Sequence, residues 1–264
     1  MERRFHCTAC GKCCKGSLPL TLSDAWTHAG RFPLAMVWTP VRKPSRSFDL
    51  VSRIGATVNL GGRKEIAVLI APTAYMPNAF SCPALQSDGL CAIHDDKPLR
   101  CRSMPFYPYR EESDQADLLV PRMGWECDTS AAAPLVYLDK KILTRDDFDR
   151  ERAQLLQQGP ALRTYAEYMQ KYLPSLVEVL ATAANKGAGA TVVTSLSSFL
   201  TATRQSDTAL LAAQQFSVLS EFALRTAGQA QLAEFHRNYS GWAREMEYLS
   251  KREQKPAQAI DGVR

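Results

Sequence analysis

No apolar run in the 264-residue sequence approaches the roughly 18–20 residues that a membrane-spanning helix needs. The longest, Ile66 to Ala71, is strand length. No Lys/Arg block of nucleic-acid type is present either. Arg42-Lys43 with Arg46 is the densest basic stretch, and a solvated loop accounts for it. The net charge of +5 is spread thinly: residues 1–130 hold 16 Lys/Arg against 13 Asp/Glu, and residues 131–264 hold 16 against 14. No phosphate-cradling glycine loop stands out, since Gly187-x-Gly189 alone is too little. The N-terminus, Met1-Glu-Arg-Arg-Phe-His-Cys7, lacks the apolar core of a secretory signal, so the expected location is cytoplasmic. Membrane and nucleic-acid partners are therefore not expected. With 45% hydrophobic and 22% charged residues the chain reads as globular, and its length can bury a core without disulfides.

Cysteine is plentiful and confined to one half. All eight residues, Cys7, Cys10, Cys13, Cys14, Cys82, Cys91, Cys101 and Cys127, precede residue 130. In a thiol-reducing compartment such clustering points to metal binding or redox chemistry rather than a disulfide framework. Twelve of the fifteen prolines lie at or before Pro134, so the composition shifts near residue 140. The expected organisation is a cysteine-cluster metal-binding domain over residues 1–139 and an α-helical domain over 140–264. The fold class is α+β: a small cysteine-rich antiparallel-sheet and loop domain followed by a helical bundle.

Local patterns fill in this outline. Ser23-Asp24 predicts the cap of a short helix that ends before Gly30 and Pro33. Phe48 to Leu60 reads as β-rich, Gly61-Gly62 as a hairpin turn and Glu65 to Ala71 as the return strand. Leu118–Val120 and Leu135–Leu138 read as short strands, and 78–110 as loop. Thr144 with Asp147 resembles a capping box, opening a helix that Gly159-Pro160 is expected to end. Leu162, Tyr165, Met169, Tyr172, Leu176 and Val179 share one helical face, which Pro174 should split. Two further stripes follow: Leu211, Val218, Leu219 and Phe222, then Leu232, Phe235, Tyr239, Trp242, Met246 and Leu249. Gly187 and Gly189 punctuate ahead of both, and the tail from Lys255 is expected to fray. Such stripes bury against each other in a bundle, and a face left over would offer a groove to a protein partner.

The chemistry concentrates in residues 5–16, Phe-His-Cys-Thr-Ala-Cys-Gly-Lys-Cys-Cys-Lys-Gly. A two-residue gap lets two thiolates bend to one metal while the intervening amides point at the sulfurs, and Gly11 can take the left-handed turn this requires. Four soft donors this close suit zinc or iron–sulfur and exclude magnesium and calcium. The downstream gaps of eight, nine and twenty-five residues supply no second zinc knuckle. A Cys-x2-Cys-x2-Cys run completed from afar is how ferredoxins hold a cubane, although their x3-Cys-Pro ending is missing. Iron–sulfur is favoured, zinc is the alternative, and metal-free redox thiols come third. One centre or two centres of four ligands are both compatible with the spacing. Arg100 and Arg102 beside Cys101 either offset thiolate charge or are ordinary surface cations. The pairs Asp95-Asp96, Glu111-Glu112 and Asp146-Asp147 read as loop and helix-start features. His6, His28 and His236 read as non-ligands. Pro105 to Tyr109 is expected to pack over the metal loops.

Three segments together carry a resemblance: the 5–16 loop, then Cys82-Pro-Ala-Leu-Gln-Ser-Asp-Gly-Leu-Cys-Ala-Ile-His94, then Arg100-Cys-Arg-Ser-Met-Pro-Phe106. This order resembles the YkgJ-type cysteine-cluster family, described as chelating zinc or iron. It covers about residues 5–127. The resemblance implies chelation through Cys7, Cys10, Cys13, Cys14, Cys82, Cys91 and Cys101, with Cys127 as an eighth candidate. His94 departs from the family, which commonly has Tyr there, and reads as a surface histidine. A related cluster accompanies a flagellin lysine methylase. The alternative function is accordingly a redox or protein-modifying enzyme with an iron–sulfur centre; no catalytic residue is assigned.

Overall fold

A computed structural model describes residues 2–186 and 189–252. In chain order its strands are β1 (Glu2–Arg4), β2 (Leu18–Pro19), β3 (Leu34–Arg42), β4 (Ala56–Asn59), β5 (Glu65–Ala74), β6 (Leu135–Leu138), β7 (Lys141–Ile142) and β8 (Val192–Ser195). The helices are α1 (Leu22–Thr27), α2 (Phe48–Ile54), α3 (Leu99–Arg102), α4 (Asp146–Tyr172), α5 (Ser175–Asn185), α6 (Leu196–Thr203), α7 (Thr208–Thr226) and α8 (Ala233–Arg252). A sheet-and-loop region thus precedes a helical bundle, α4–α8, as the α+β reading required. Gly187 and the tail from Lys255 lie outside the described residues.

The larger sheet has the order β2-β5-β3-β8, with β4 also on β5, and every pairing is antiparallel. Its axis is the nine-residue register of β3 on β5, from Leu34↔Ala74 to Arg42↔Ile66. Alternation along β5 sends Ile66, Val68 and Ile70 into the main core and Ala67 and Leu69 toward α2, which is why this strand reads as one apolar run. The main core takes in sheet residues such as Trp38 and Val68 together with Tyr165, Phe199, Phe222 and Tyr239 of the helices. Strand β8, from the helical half, closes the free edge of β3 over Ala35–Trp38. There Thr194 Oγ1 accepts from Trp38 Nε1 at 3.0 Å and meets the Tyr165 hydroxyl at 3.0 Å. A smaller sheet, β1-β6-β7, packs on Phe106, Leu119, Tyr137, Ile142 and Phe148. The 139/140 boundary falls in the β6–β7 hairpin turn, where Asp139 and Lys140 both have positive φ.

Several local expectations change. Residues Phe48–Ile54 form a helix rather than a strand, because Phe48 and Val51 pack together beneath Ala67, three residues apart on one helical face. Helix α1 is capped by Thr21, which accepts from the Asp24 amide, and not by Ser23. Residues Ala116–Leu119 make a 3-10 turn instead of a strand. Helix α4 runs through Gly159-Pro160 for 27 residues and has no capping side chain at its start. A Cβ on Gly159 would lie 2.9 Å from the Arg53 carbonyl oxygen, so α4 and α2 pack through this glycine, and the lost proline N–H is outweighed by packing. Pro174 separates α4 from α5 as expected. Of the first stripe, Leu162, Tyr165, Met169 and Leu176 are buried whereas Tyr172 and Val179 are exposed. The α7 and α8 stripes do build the bundle core.

Candidate metal centre

The 5–16 loop is strung between the two sheets. At its start the β1–β6 ladder continues outward: Phe5 N donates to Pro134 O at 3.0 Å, and His6 and Asp128 exchange backbone bonds at 2.8 and 3.0 Å. The Thr8 hydroxyl then reaches Glu126 O at 2.9 Å, and Lys12 pairs with the Glu126 carboxylate at 3.6 Å. Cys127 therefore lies beside Cys7 and Cys10. At its end the β2–β5 ladder continues in the same way. Ser17 Oγ bridges to Met76, Gly16 N donates to Phe80 O at 3.1 Å, Lys15 bridges Ser81, and Cys82 N donates to Cys14 O at 2.9 Å. Cys91 folds back on Leu85 as an isolated bridge, which keeps it near Cys82.

The turn that joins the two ends depends on unusual backbone. Ala9 and Gly11 have φ of 56° and 67°, and Cys14 N closes on Gly11 O at 3.0 Å. A Cβ on Gly11 would meet Leu85 Cδ1 at 3.1 Å and Gly89 O at 3.2 Å, so glycine serves both the conformation and the approach of the 82–91 loop.

The eight thiols are all free, and none is fully buried; Cys7 and Cys13 are exposed. Backbone amides do point at sulfurs. N–H groups of Lys12 and Glu126 lower the Cys10 thiol, and Ala84 N donates to Cys82 Sγ at 3.4 Å, partly offsetting the burial that pushes Cys82 up. A hydrogen bond from the Cys14 thiol brings Cys13 down to about 6 and holds the Cys14 proton, pushing that thiol up. Burial pushes Cys101 up to about 12, with Cys82 and Cys13 adding to the rise. Burial and then Cys10, Cys7 and Cys13 raise Cys127.

Cys101 rides on α3, and that helix is clamped to α4. Arg100 is 1% exposed; it pairs with the equally buried Glu151 at 3.5 Å, lies over the Tyr107 ring at 4.6 Å and donates to Phe106 O. Ser103 donates to the same carboxylate. Arg100 is thus no surface arginine, although its charge does oppose the rise at Cys101. The clamp had no sequence signal, since nothing local connects positions 100 and 151. Arg102 is spent on backbone oxygens of Lys97, at 3.0 Å, and Asp95. Phe106 packs into the smaller sheet's core, against which Phe5 at the start of the cysteine loop also rests. His94 and His6 are exposed, and His28 is buried against the Asp96 carbonyl oxygen at 3.0 Å.

The donor chemistry fits a thiophilic metal: eight reduced sulfurs, amides aimed at two of them, and a glycine cradle that a Cβ would fill. Among the described residues, no three His, Cys, Asp or Glu side chains have closed into a ligating group. Two open clefts, about 600 Å³ between α6 and α8 and about 460 Å³ beside β1, contain no cysteine in their walls.

Fold and loops together define a class: a cysteine-cluster protein whose thiols sit on surface loops outside an α+β core. Residues 6–127, a little under half the chain, match the model of the CxxCxxCC family, described as a "Putative zinc- or iron-chelating domain". No curated protein and no solved structure matches the chain. No described helix is long and apolar enough to cross a membrane.

Proposed function

We propose that this chain is a cytoplasmic metal-binding protein that holds an iron–sulfur cluster on its cysteine loops, with zinc as the alternative metal. The observation that carries the reading is the backbone pairing of the 6–16 loop with 126–128 at one end and with 80–82 at the other, with amide N–H groups already turned toward Cys10 and Cys82. An iron–sulfur cluster, when bound, supplies one-electron chemistry, and zinc supplies structure alone. The chain's own contribution is to hold thiolates, donate N–H···S bonds that stabilise their charge, and fix α3 through the Arg100–Glu151 pair. The helical half is the surface left for a protein partner.

Anaerobic purification followed by metal and sulfide analysis and a visible spectrum tests this. The expected result is iron with inorganic sulfide and an absorption band near about 400 nm that bleaches on reduction. Stoichiometric zinc without colour would select the alternative. A chain that stays metal-free after reconstitution with either would overturn the reading.

A further inference from the structure

We infer that the cleft of about 600 Å³ between α6 and α8 binds a small organic phosphate with a planar body and free hydroxyls, the chemistry of a mononucleotide. The cleft lies in the helical half and has no cysteine in its walls, so the inference stands apart from the metal reading. Its volume is that of a small-molecule site. Helical periodicity sorts the α8 wall into two rows. Gly241, Glu245 and Leu249 form the inner row: Glu245 accepts from the Ser197 hydroxyl of α6, and Leu249 packs against the main core. Arg244, Tyr248 and Arg252 form the outer row, at successive turns. Neither guanidinium has an ion-pair or hydrogen-bond partner among the described residues. The Tyr248 ring lies between them in the row and is 64% exposed.

Each part of this donor set answers to one part of the ligand. Two unpaired guanidiniums on one rim match a phosphate, whose oxygens accept their forked N–H groups. A bare phenol ring between them offers a face on which a planar ring can stack. Glu245 accepts from ligand hydroxyls and opposes a ligand that is charge alone. Gly241 adds a separate observation. It has no left-handed φ, and a Cβ there would meet nothing within 4 Å, so neither conformation nor packing requires glycine. Glycine weakens a helix interior relative to alanine. Its effect here is to keep the inner wall of the cleft open.

Calorimetric titration of the full-length reduced chain with AMP, adenosine and inorganic phosphate tests the inference. AMP is expected to bind with a Kd below about 1 mM, and adenosine and phosphate at least about tenfold more weakly. Arg244→Gln and Arg252→Gln should each weaken AMP by about tenfold, the loss of one charge-assisted contact. Lys251→Gln removes a cation from the same helix outside the cleft walls and should leave AMP binding unchanged. Gly241→Leu should abolish binding while the thermal midpoint of the bundle holds or rises. If that variant lowers the midpoint, the exposed arginine variants decide. No AMP binding up to about 10 mM would overturn the inference. So would inorganic phosphate binding as tightly as AMP, an equal loss in Lys251→Gln, or full binding in a folded Gly241→Leu.

Discussion

The helical half and the cysteine loops hold a chain in place by different means. In the bundle, order comes from buried side chains: Tyr165, Phe199, Phe222, Tyr239 and Met246 are all almost fully buried and share one core with the sheet. In the loops, order comes from backbone hydrogen bonds that extend two sheets past their ends, and no cysteine is fully buried. Apolar burial is worth about 25 cal/mol per Å² and needs no ligand. A loop stitched by backbone bonds in contact with water gains far less, since each such bond contributes only about 1 kcal/mol net. The loops are therefore where bound metal adds most to stability, and the bundle is where it adds least.

Removing metal from the loaded protein should separate the two regions most sharply. A chelator under reducing conditions should raise hydrogen exchange at the amides of His6, Cys82, Ala92 and Asp128 by about a hundredfold or more, while amides in α7 and α8 keep their protection. Equal loss in both regions would mean that the core and the loops open as one unit, and the contrast would fail.

The reverse experiment attacks the core. Phe199→Ala should cost about 3–5 kcal/mol, read as a lower urea midpoint, while metal per folded chain stays unchanged. A variant that keeps its stability but loses metal would show that the core shapes the site directly.

The Arg100–Glu151 pair joins the regions, so its loss should register in both. Glu151→Gln leaves a buried guanidinium without its counter-charge and should cost about 3 kcal/mol, the lower end for a broken buried pair, because the amide can still accept from Ser103. Metal release from this variant should also quicken, since α3 carries Cys101. Unaltered stability would show that the pair contributes no more than a surface ion pair.

The smallest effect is expected at the turn. Gly11→Ala places a Cβ at φ +67° and against Leu85 and Gly89, at a cost of about 1–2 kcal/mol. The cost should appear as weaker metal binding with no shift in the bundle's thermal transition.

Legibility in the sequence followed the same contrast. The cysteine order, the Gly61-Gly62 hairpin and the α8 stripe were readable because each is local: a spacing, a turn dipeptide, a 3.6-residue period. What depended on distant partners was not. Strands β3 and β8 went unread, because β3 is defined by its register on β5 and by β8 arriving from more than 150 residues later. Phe48–Ile54 has strand-like composition and becomes a helix only because a sheet face covers it. Pro160 signals a helix end, and only the α2 backbone against Gly159 explains why α4 continues. At the site, the ligand candidates were readable one by one, whereas their grouping depended on Asp128 pairing with His6 and Cys82 with Cys14.

The loop strung between two sheets also sets a clock for synthesis. Its first anchor, the backbone exchange between His6 and Asp128, joins residues about 120 positions apart. At about 5–20 residues per second, Cys7 and Cys10 leave the ribosome roughly 6–24 s before Cys127 can join them. During that interval they are nascent thiols with no structural neighbour, open to oxidation and to capture by whichever soft ion arrives first. Correct assembly then depends on the surrounding thiol buffer keeping these positions vacant until the last segment arrives.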